Sequence, residues 1–589
     1  MKRNCWLTKP SDVCNILKDH YESVANDIGE PDTMGENLGE DEVLCAIQKH
    51  SEHPSVLRIT GTYPRPDHFS FTKVTVDQVL LGLKKVNAKK ATGYDNLSPY
   101  FIKLAANEIC IPITNLVNEC IAQGKYPDMF ERNEIIPVFK SKDSFDKANY
   151  RPVSCTTALS KIIEKQLVTQ IDAHFQKYFS NKLSAYRKGM GCEHVIINVI
   201  EDWKLALDKN KIVGSLLMDL SKAFDCLPHR LLIAKLSAYG FSLKACQLMA
   251  SYLANRKQRV KYFGEKSNWS VVNKGIPQGS VLGPVMYNIF VNDLMFTVKE
   301  DFYNYADDNT IAVVGDSLSE VLERLEDTAK ICLNWFSVNM MKANPEKFQL
   351  IVLDRNCQDQ NQLSLKINEI VIPQVTCVKL LGIQIDCKLE FTEHVNALCK
   401  KAGRNLKILL RMSKRIRNIQ DRYCLMESFL LSCFSYCQIV WHFCNRVLSH
   451  KMEKLYERGI RFAENDYVTE YDDLLQKTEK STFIVNRLRN IAMFVFNCMQ
   501  NETPEYLRHL YRTKDQTYSM RDRKILDVTR FNTIKYGKNS LKYTGTKMWN
   551  SLPQKIKCHT ESDLFKRELF AMWVCKERQC QKCIEGIYH

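Results

Sequence analysis

Two adjacent carboxylates between two strand-like runs constrain this chain more than any other feature. Positions 305–308 read Tyr-Ala-Asp-Asp, and strand-like sequence flanks them at 301–304 and 309–314. This context predicts a β-hairpin with Asp307 and Asp308 at its tip. Neighbouring carboxylates repel each other unless a cation binds them, and Mg²⁺ prefers oxygen ligands of this kind. Alone, the tetrapeptide is equally compatible with an ordinary turn, because Asp tolerates turn geometry.

A third candidate carboxylate ends an apolar run upstream of the hairpin. Residues 213–218 read as a buried strand, and Asp219 follows directly. Asp219 is therefore the candidate to complete a cage for two Mg²⁺ ions, which in nucleotidyl transfer clamp the attacking and leaving oxygens. Phe224 lies five residues later, and its ring could sit under a nucleotide sugar and exclude a 2′-hydroxyl. The alternative is an ordinary strand end followed by a core phenylalanine.

A segment rich in Gly and Pro separates the two acidic regions. Residues 275–284 read Gly-Ile-Pro-Gln-Gly-Ser-Val-Leu-Gly-Pro, which predicts a shaped loop, and the apolar stretch 285–294 predicts a helix. Glycine lets the backbone approach a ligand closely, and free N–H groups at a helix start suit anions. We expect the polar side chain of Gln278 to face a base pair or a sugar. The alternative is a structural turn before a helix.

Together these three segments resemble the central motifs of reverse transcriptases, in the same order along the chain. Residues 218–225 read Met-Asp-Leu-Ser-Lys-Ala-Phe-Asp, 275–280 read Gly-Ile-Pro-Gln-Gly-Ser and 305–308 read Tyr-Ala-Asp-Asp. The residues of these motifs are most similar to those of the polymerases of non-LTR retrotransposons of the LINE type, the jockey-like group. The resemblance covers residues 60–570. It implies an α+β right-hand polymerase with fingers, a palm with an antiparallel sheet, a helical thumb and a mostly helical C-terminal region.

The resemblance also implies a reaction and its residues. The reaction is RNA-directed DNA synthesis, in which an RNA template, a DNA primer or target DNA and deoxynucleoside triphosphates are the partners. Asp219, Asp307 and Asp308 would be the catalytic residues and the ligands of two Mg²⁺ ions, for which Mn²⁺ can substitute. Segments 135–140 and 149–154 look like two fingers motifs, and 344–347 looks like the motif that follows the palm hairpin. Segment 380–383 looks like the primer grip, the hairpin that holds the primer end. The implied nucleotide-binding residues are Lys140, Arg151, Phe224, Gln278 and Lys347.

One segment departs from the family pattern. Many relatives begin the stretch at 184–189 with Gln-x-Gly-Phe or a similar sequence, whereas Ala185 and Tyr186 stand here in place of Gly and Phe. The basic pair Arg187 and Lys188 remains, and we expect it to contact nucleic acid.

Charge is placed unevenly along the chain. The formal net charge is +16, although residues 1–60 carry eleven acidic and only six basic residues. The rest of the chain is therefore strongly basic, which suits a polyanionic partner and predicts salt-sensitive binding. Between the primer-grip motif and residue 414, basic residues recur at spacings of four, three, four and three, which would form one stripe on a thumb helix. The stripe, which could also be a solvated helix face, consists of Lys400, Arg404, Lys407, Arg411 and Lys414.

The 23 cysteines and the N-terminal sequence predict an intracellular protein. No apolar stretch follows Lys2 and Arg3, so we expect no signal peptide, reduced thiols and a nuclear or cytoplasmic location. The apolar stretch 423–443 contains polar residues and predicts a buried helix pair rather than a membrane span. Near the C-terminus, one Cys-x-x-Cys and a further cysteine could bind zinc with His589, but no second Cys-x-x-Cys accompanies them, so the sequence favours no zinc. These cysteines are Cys575, Cys580 and Cys583.

The domain organisation follows from composition and from the resemblance. We expect an acidic lead and linker at 1–60, fingers with an N-terminal extension at 61–185, a palm at 186–388, a thumb at 389–470 and a helical C-terminal region at 471–589. The whole reverse transcriptase core would span about 130–388. Full-length elements of this type carry an endonuclease before the polymerase, and about 60 residues leave no room for one. The chain is therefore expected to be the polymerase half of a longer element or a truncated product.

Three other interpretations remain open from the residues. A catalytically inactive, nucleic-acid-binding relic of a mobile element would keep the fold without the reaction. An RNA polymerase could share the palm, although Phe224 argues against it. A protein-interaction scaffold built on the C-terminal helices would leave the three carboxylates unexplained.

Overall fold

The computed structural model describes residues 9–26, 39–141, 143–220, 223–356, 363–514 and 525–572. The chain divides into two compact units, each built from three segments. The first unit contains 1–186, 219–299 and 330–346, and the second contains 187–218, 300–329 and 347–589. A mixed helix and sheet architecture is therefore confirmed. The boundaries assigned to fingers, palm and thumb stay predictions.

The helices run through both units. They are α1 (Pro10–Asn26), α2 (Glu40–Lys49), α3 (Pro54–Thr62), α4 (Val76–Lys84), α5 (Pro99–Leu104), α6 (Ala106–Gln123), α7 (Ala158–Phe175), α8 (Cys192–Asp208), α9 (His229–Ala238), α10 (Leu243–Leu253), α11 (Gly283–Val291), α12 (Leu294–Thr297), α13 (Leu318–Val338), α14 (Thr392–Met412), α15 (Ile419–Leu425), α16 (Arg446–Glu464), α17 (Tyr471–Lys477), α18 (Phe483–Met499), α19 (Glu505–Arg508), α20 (Leu541–Ser551), α21 (Gln554–Lys557) and α22 (Ser562–Met572). In the described part of the chain, none of them combines the length and apolar character that crossing a membrane would need.

The strands form two larger sheets and two hairpins. They are β1 (Arg132–Phe139), β2 (Tyr150–Cys155), β3 (Ile212–Asp219), β4 (Lys257–Tyr262), β5 (Glu265–Lys266), β6 (Ser270–Val271), β7 (Asp301–Tyr305), β8 (Asp308–Gly315), β9 (Gln349–Leu353), β10 (Ser364–Ile367), β11 (Ile370–Pro373), β12 (Cys377–Leu380) and β13 (Ile383–Asp386). The first unit holds the sheet β2-β1-β4-β5, with β6 paired to β4. The second unit holds the sheet β7-β8-β3-β9, of which only the last residue of β3 belongs to the first unit.

Within the acidic N-terminal segment, the described residues 9–26 and 39–60 are mostly helical and packed. Cys14, Leu17 and Tyr21 on α1 form a small buried cluster with Ile135 of β1 and Val260 of β4. Helices α2 and α3 likewise bury apolar residues. The linker interpretation is therefore wrong for 39–60, because apolar residues spaced one helical turn apart find a core within the first unit.

The sheet of the second unit is antiparallel at β7–β8 and at β3–β9. The predicted strands at 213–218, 301–304 and 309–314 are confirmed as β3, β7 and β8. Gly214 lies where β3 meets α13, and a Cβ at this position would come within 2.5 Å of the Val321 side chain. Glycine there permits close packing of the helix on the sheet.

The predicted primer-grip segment forms the tight hairpin β12–β13. Leu380 pairs with Ile383, and the two turn residues Leu381 and Gly382 both have positive φ. The Tyr436 hydroxyl donates to the Leu381 carbonyl at 2.6 Å and holds the turn against the helical part of the second unit.

The apolar stretch 423–443 is not a helix pair. Helix α15 continues into a π turn at Met426–Leu430 and a 3-10 turn at Leu431–Phe434, and a second 3-10 turn follows at Trp441–Phe443. Part of the run is buried against α14 and α16, whereas Phe429 and Tyr436 are 51% and 45% exposed. Tertiary packing has replaced regular helical hydrogen bonding. The predicted burial is confirmed only in part, and the predicted helix pair is wrong.

The C-terminal residues share the core of the second unit. Asp208 at the end of α8 accepts from the backbone N–H groups of Asn532 and Thr533 at 3.0 and 2.8 Å. Glu201, two turns earlier on α8, accepts from the N–H groups of Leu541 and Lys542 at 2.8 and 2.9 Å and caps α20. Both carboxylates are buried, so they join α8 to the chain beyond residue 525.

Asp202 of α8 gives the second unit a pH-dependent stability. Burial raises its pKa to about 7, and the nearby charges of Asp301 and Glu201 act in the same direction, although the Tyr303 hydroxyl donates to it at 2.8 Å. A carboxyl with a raised pKa takes up a proton in the folded protein that the unfolded chain lacks between about pH 4 and 7. It therefore lowers stability as pH rises through this range, by at most about 1.4 kcal/mol per pH unit.

We expect Asp202→Asn to unfold at the same denaturant midpoint as wild type near pH 4. Between about pH 4 and 7 its free energy of unfolding should rise relative to that of wild type, and above about pH 7 the difference should stay constant. Urea unfolding across this range measures the difference. A difference between the proteins that is constant with pH would contradict the assignment.

Candidate functional site

The Asp307–Asp308 pair lies at a two-residue turn between β7 and β8. Tyr305 pairs with Asp308, which leaves Ala306 and Asp307 as the turn. Ala306 has a φ of +57°, in the left-handed region that L side chains rarely adopt. The Asp307 side chain is half-buried and Asp308 is exposed. The predicted hairpin tip is thus confirmed, and it carries local backbone strain.

Two buried asparagines flank this turn and were missed by the sequence argument. Asn304 donates from Nδ2 to the Ala306 carbonyl at 2.9 Å and to Asn309 Oδ1 at 2.8 Å. Asn309 donates from Nδ2 to the Asp307 carbonyl at 3.1 Å. Their positions, one residue outside the Tyr-Ala-Asp-Asp segment on each side, were the available signal.

Strand β3, which ends at Asp219, is the neighbour of β8 in the sheet. The Ser215 hydroxyl of β3 donates to the Ile311 carbonyl of β8 at 2.8 Å. Asp219 lies four residues after Ser215, and Asp307 lies four residues before Ile311. The structure therefore sets the three predicted carboxylates on or next to two adjacent strands.

The Gly- and Pro-rich loop packs within the first unit against the segment that follows Asp219. A Cβ on Gly275 (φ +80°) would come within 2.6 Å of the Asp225 carbonyl oxygen, and one on Gly279 (φ +125°) within 2.6 Å of the Ser154 carbonyl oxygen. Only glycine fits both the positive φ and the close approach. The Ser154 N–H also donates to the Gln278 carbonyl at 2.8 Å, which fixes the backbone of Gln278 beside β2.

The start of α11 is held by a buried carboxylate that the sequence did not single out. Glu164 of α7, which is fully buried, accepts from the N–H groups of Val281 and Leu282 at 2.6 and 3.1 Å. The Ser280 hydroxyl accepts from the Gly283 N–H at 3.0 Å. The free N–H groups expected to suit an anion are thus already bonded to protein groups at Val281, Leu282 and Gly283.

A small cleft that is open to solvent lies beside this loop. Gln278 lines it, together with Pro152 and Ser154 of β2, Asp225 and Tyr21. The cleft is built entirely within the first unit. Its position against a finger-like hairpin and next to Gln278 makes it a candidate nucleotide or template pocket.

Lys140 and Arg151 belong to the β1–β2 hairpin of the first unit. Lys140 directly follows β1, and its N–H donates to the Asn149 carbonyl at 2.9 Å. Arg151 lies on β2 opposite Val138. Both side chains are exposed, so their charges are accessible to an anionic ligand.

Phe224 is held in an aromatic stack. Its ring lies 4.7 Å from the ring of buried Tyr287 at an interplanar angle of 16°. Tyr186, the residue that departs from the family pattern, meets Phe224 edge-on at 5.9 Å and 88°. The stack restricts the Phe224 ring to one orientation, as a sugar gate requires.

The remaining predicted ligand-binding residues lie at segment ends. Lys347 is exposed and ends the short 3-10 turn before β9, the strand next to β3. The backbone N–H of Asn344, in the same motif, donates to the Asp219 carbonyl at 3.1 Å. Arg187 is half-buried, and burial lowers the pKa of its guanidinium, whereas Lys188 is exposed.

The predicted basic stripe lies on one helix and faces solvent. Lys400, Arg404, Lys407 and Arg411 of α14 are all exposed, while Ala402, Leu406 and Leu409 are buried. Lys414 follows α14 in a 3-10 turn, and its side chain lies outside the described residues. The amphipathic helix is confirmed, and its binding of nucleic acid stays a prediction.

The residues of the two predicted metal sites differ in whether the structure describes them. Cys575, Cys580 and Cys583 lie outside the described residues. Across the described ranges, no group of three His, Cys, Asp or Glu side chains is already gathered around a metal position. Ligation by Asp219, Asp307 and Asp308 therefore rests on their strand positions and on the oxygen chemistry that Mg²⁺ prefers.

The segment that carries the candidate carboxylates matches a known protein family. Residues 140–385 match the family model described as Reverse transcriptase (RNA-dependent DNA polymerase). This segment is a reverse transcriptase domain. It contains β3, β7, β8, the glycine loop and all but the last residue of the hairpin β12–β13, and thus every candidate carboxylate.

Several curated relatives are proteins of mobile elements. The chain is 26% identical over 344 residues to the RNA-directed DNA polymerase from mobile element jockey of Drosophila funebris, covering 55% of this chain and 36% of that protein. The same-named protein of Drosophila melanogaster is 26% identical over 333 residues, covering 55% and 36%. The Pol polyprotein from the type-1 retrotransposable element R1 of Bradysia coprophila is 24% identical over 383 residues, covering 62% and 37%. The chain thus spans little more than a third of the length of these relatives, and the reverse transcriptase domain fits a jockey-like LINE element.

Proposed function

We propose that this chain is an RNA-directed DNA polymerase that extends a primer 3′-hydroxyl with deoxynucleotides during retrotransposition. The observation that carries the proposal is the pairing of β3 with β8, since these strands bear Asp219 and Asp308 within a reverse transcriptase domain. An RNA template, a DNA primer or target DNA and deoxynucleoside triphosphates are the proposed partners, in the nucleus or cytoplasm. The proposed fingers remain at 61–185, the proposed palm at 186–388 and the proposed thumb at 389–470, where α14 is its first helix.

The residue spacing supports a shared metal site. Antiparallel pairing of β3 with β8, the arrangement at β7–β8 and β3–β9, would bring Asp219 opposite the Asp307–Asp308 tip, because each lies about four residues from the Ser215–Ile311 contact. Asp219, Asp307 and Asp308 would hold two Mg²⁺ ions, whose charge lowers the pKa of the primer hydroxyl and stabilises the departing pyrophosphate. The half-buried Asp307 and exposed Asp308 leave this edge open to a primer end.

The other residues would bind and orient the nucleotide. Lys140 and Arg151 would contact the triphosphate, because exposed cations on a hairpin can bond phosphate oxygens directly. Gln278 would position the template base or sugar from the wall of the cleft. Lys347 would donate a proton to the departing pyrophosphate. Arg187, Lys188 and the α14 stripe would follow the phosphate backbone of the template–primer duplex.

Phe224 would exclude ribonucleotides. With its ring fixed against Tyr287, it cannot swing away from a 2′-hydroxyl. We expect Phe224→Ala to raise ribonucleotide incorporation relative to deoxynucleotide incorporation by about tenfold or more. Single-nucleotide incorporation with matched ribo- and deoxynucleotides measures the ratio, and Phe263→Ala, at a ring 83% exposed on another loop, serves as the control. Unchanged sugar selectivity in Phe224→Ala would remove the gate assignment and would reopen the RNA polymerase interpretation.

The proposal is tested by extension of a DNA primer annealed to an RNA template by the purified chain. We expect Mg²⁺-dependent addition of deoxynucleotides that stops at the template end. Filter binding of the same duplex without any extension would instead favour the second candidate, an inactive relic. The exposed basic stripe of α14 would serve either protein, so only the extension separates them.

A further inference from the structure

The turn that presents Asp307 is held by an asparagine pair within the second unit. Asn304 and Asn309 face each other across β7 and β8 as a paired residue couple, and they are 1% and 2% exposed. The carbonyl of Ala306 belongs to the peptide before Asp307, and the carbonyl of Asp307 belongs to the peptide after it. Asn304 bonds the first and Asn309 bonds the second, so both peptide planes around Asp307 are pinned.

Pinned peptide planes determine where a side chain points. Each peptide is planar, so the two planes on either side of a residue set its φ and ψ and hence the direction of its Cα–Cβ bond. The two asparagines therefore fix the direction of the Asp307 Cα–Cβ bond, from which the carboxylate extends. The second of these peptides joins Asp307 to Asp308, so the backbone of Asp308 is also fixed on its N-terminal side.

Two features of this turn lower the stability of the folded protein. Ala306 is buried with a φ of +57°, a conformation that costs a non-glycine residue on the order of 1 kcal/mol. Asn304 Oδ1 is buried, and no hydrogen-bond partner for it occurs among the described residues. A buried polar atom without a partner costs about 1–3 kcal/mol. An apolar pair at these positions would remove the second cost but would also remove the donors to the Ala306 and Asp307 carbonyls, so the asparagines serve to hold this turn.

We propose that Asn304 and Asn309 are positioning residues that fix the turn so that Asp307 and Asp308 bind metal in one geometry. The inference rests on the proposed function, since it assigns these carboxylates to the metal site. Groups that orient metal ligands typically change metal affinity or activity by 10- to 100-fold when they are removed. A purely structural role would lower the stability of the hairpin without a selective effect on metal binding.

The test uses the full chain and Mn²⁺, whose binding is followed by electron paramagnetic resonance without any turnover. We expect Asn304→Leu and Asn309→Leu to weaken Mn²⁺ binding about tenfold or more. The matched control is Asn292→Leu, which removes a fully buried asparagine that donates to the Tyr178 carbonyl at 2.9 Å in the first unit. It should lower the unfolding temperature similarly and leave Mn²⁺ affinity unchanged.

Alanine at 304 and 309 provides a second pair of variants if leucine prevents folding. Wild-type Mn²⁺ affinity in the folded 304 and 309 variants, or an equal loss in Asn292→Leu, would overturn the positioning role. Asp307→Asn separates this inference from the proposed function. If Asp307→Asn keeps both Mn²⁺ binding and extension, the proposed function fails. If it loses both while the asparagine variants match wild type, only the positioning role fails.

Discussion

Asp307→Asn is expected to reduce primer extension on an RNA template by at least about a thousandfold, because it removes a carboxylate that would hold Mg²⁺, the ion that would stabilise the negative charge of the transition state. Asp219→Asn should have an effect of the same order. The matched control is Asp316→Asn at the opposite end of β8, where an exposed aspartate pairs with Lys211. Steady-state and single-turnover extension measure the rates, and filter binding of the template–primer duplex shows whether binding is retained.

The pattern across these variants separates loss of chemistry from loss of fold. Retained duplex binding with lost extension in Asp219→Asn and Asp307→Asn, together with an active Asp316→Asn, is the result we expect. Equal activity in all three variants would show that the carboxylates of β3 and β8 do not carry the reaction. Loss of duplex binding in Asp219→Asn or Asp307→Asn would point to a role in the fold instead.

Removal of the C-terminal region is expected to prevent folding of the second unit. The matched family segment ends at residue 385, yet Trp549 and Phe565 are fully buried in the core that α8 and the β3 sheet share. A chain ending at Met499 would expose that core and leave Asp208 and Glu201 buried without their N–H partners. We expect such a chain to be insoluble or to lack a cooperative unfolding transition.

A single substitution tests the same interface without truncation. Asp208→Ala removes the acceptor of two backbone N–H groups and the Thr533 hydroxyl, and we expect a loss of about 3 kcal/mol or more in the free energy of unfolding. Glu502→Ala, at an exposed acidic residue after α18, should change it by less than about 0.5 kcal/mol. A soluble Met499-terminated chain with the wild-type unfolding midpoint would show that the C-terminal region is dispensable.

Local sequence pattern was sufficient for the elements that carry the candidate carboxylates. The apolar run that ends at Asp219 and the strand-like runs on either side of 305–308 predict β3, β7 and β8, because buried strands leave a strong local signal. The basic stripe of α14 was predictable for the same reason, since the helical period places its charges on one face. The glycines at 275 and 279 marked a loop, although the carbonyl oxygens that they approach could not be deduced.

Features that depend on contacts distant in sequence were not predictable. Asp208 and Glu201 meet residues more than 320 positions away, and no local pattern identifies such partners. Asn304 lies opposite Asn309 because of the hairpin register. That register can be assigned only when the residues that form the turn are known. The irregular turns at 426–443 arise because packing against α14 and α16 overrides helical propensity.

Where the metal binds can be measured independently of turnover. Fe²⁺ takes the place of Mg²⁺ at oxygen sites, and with ascorbate and peroxide it generates radicals that cut the protein backbone near the ion. Mass spectrometry of the fragments then maps the site. We expect cuts next to Asp219 and next to Asp307–Asp308 that excess Mg²⁺ suppresses and that Asp307→Asn abolishes. Cuts confined to other segments, or cuts at 307–308 without any at 219, would contradict a single metal site built from the ends of β3 and β8.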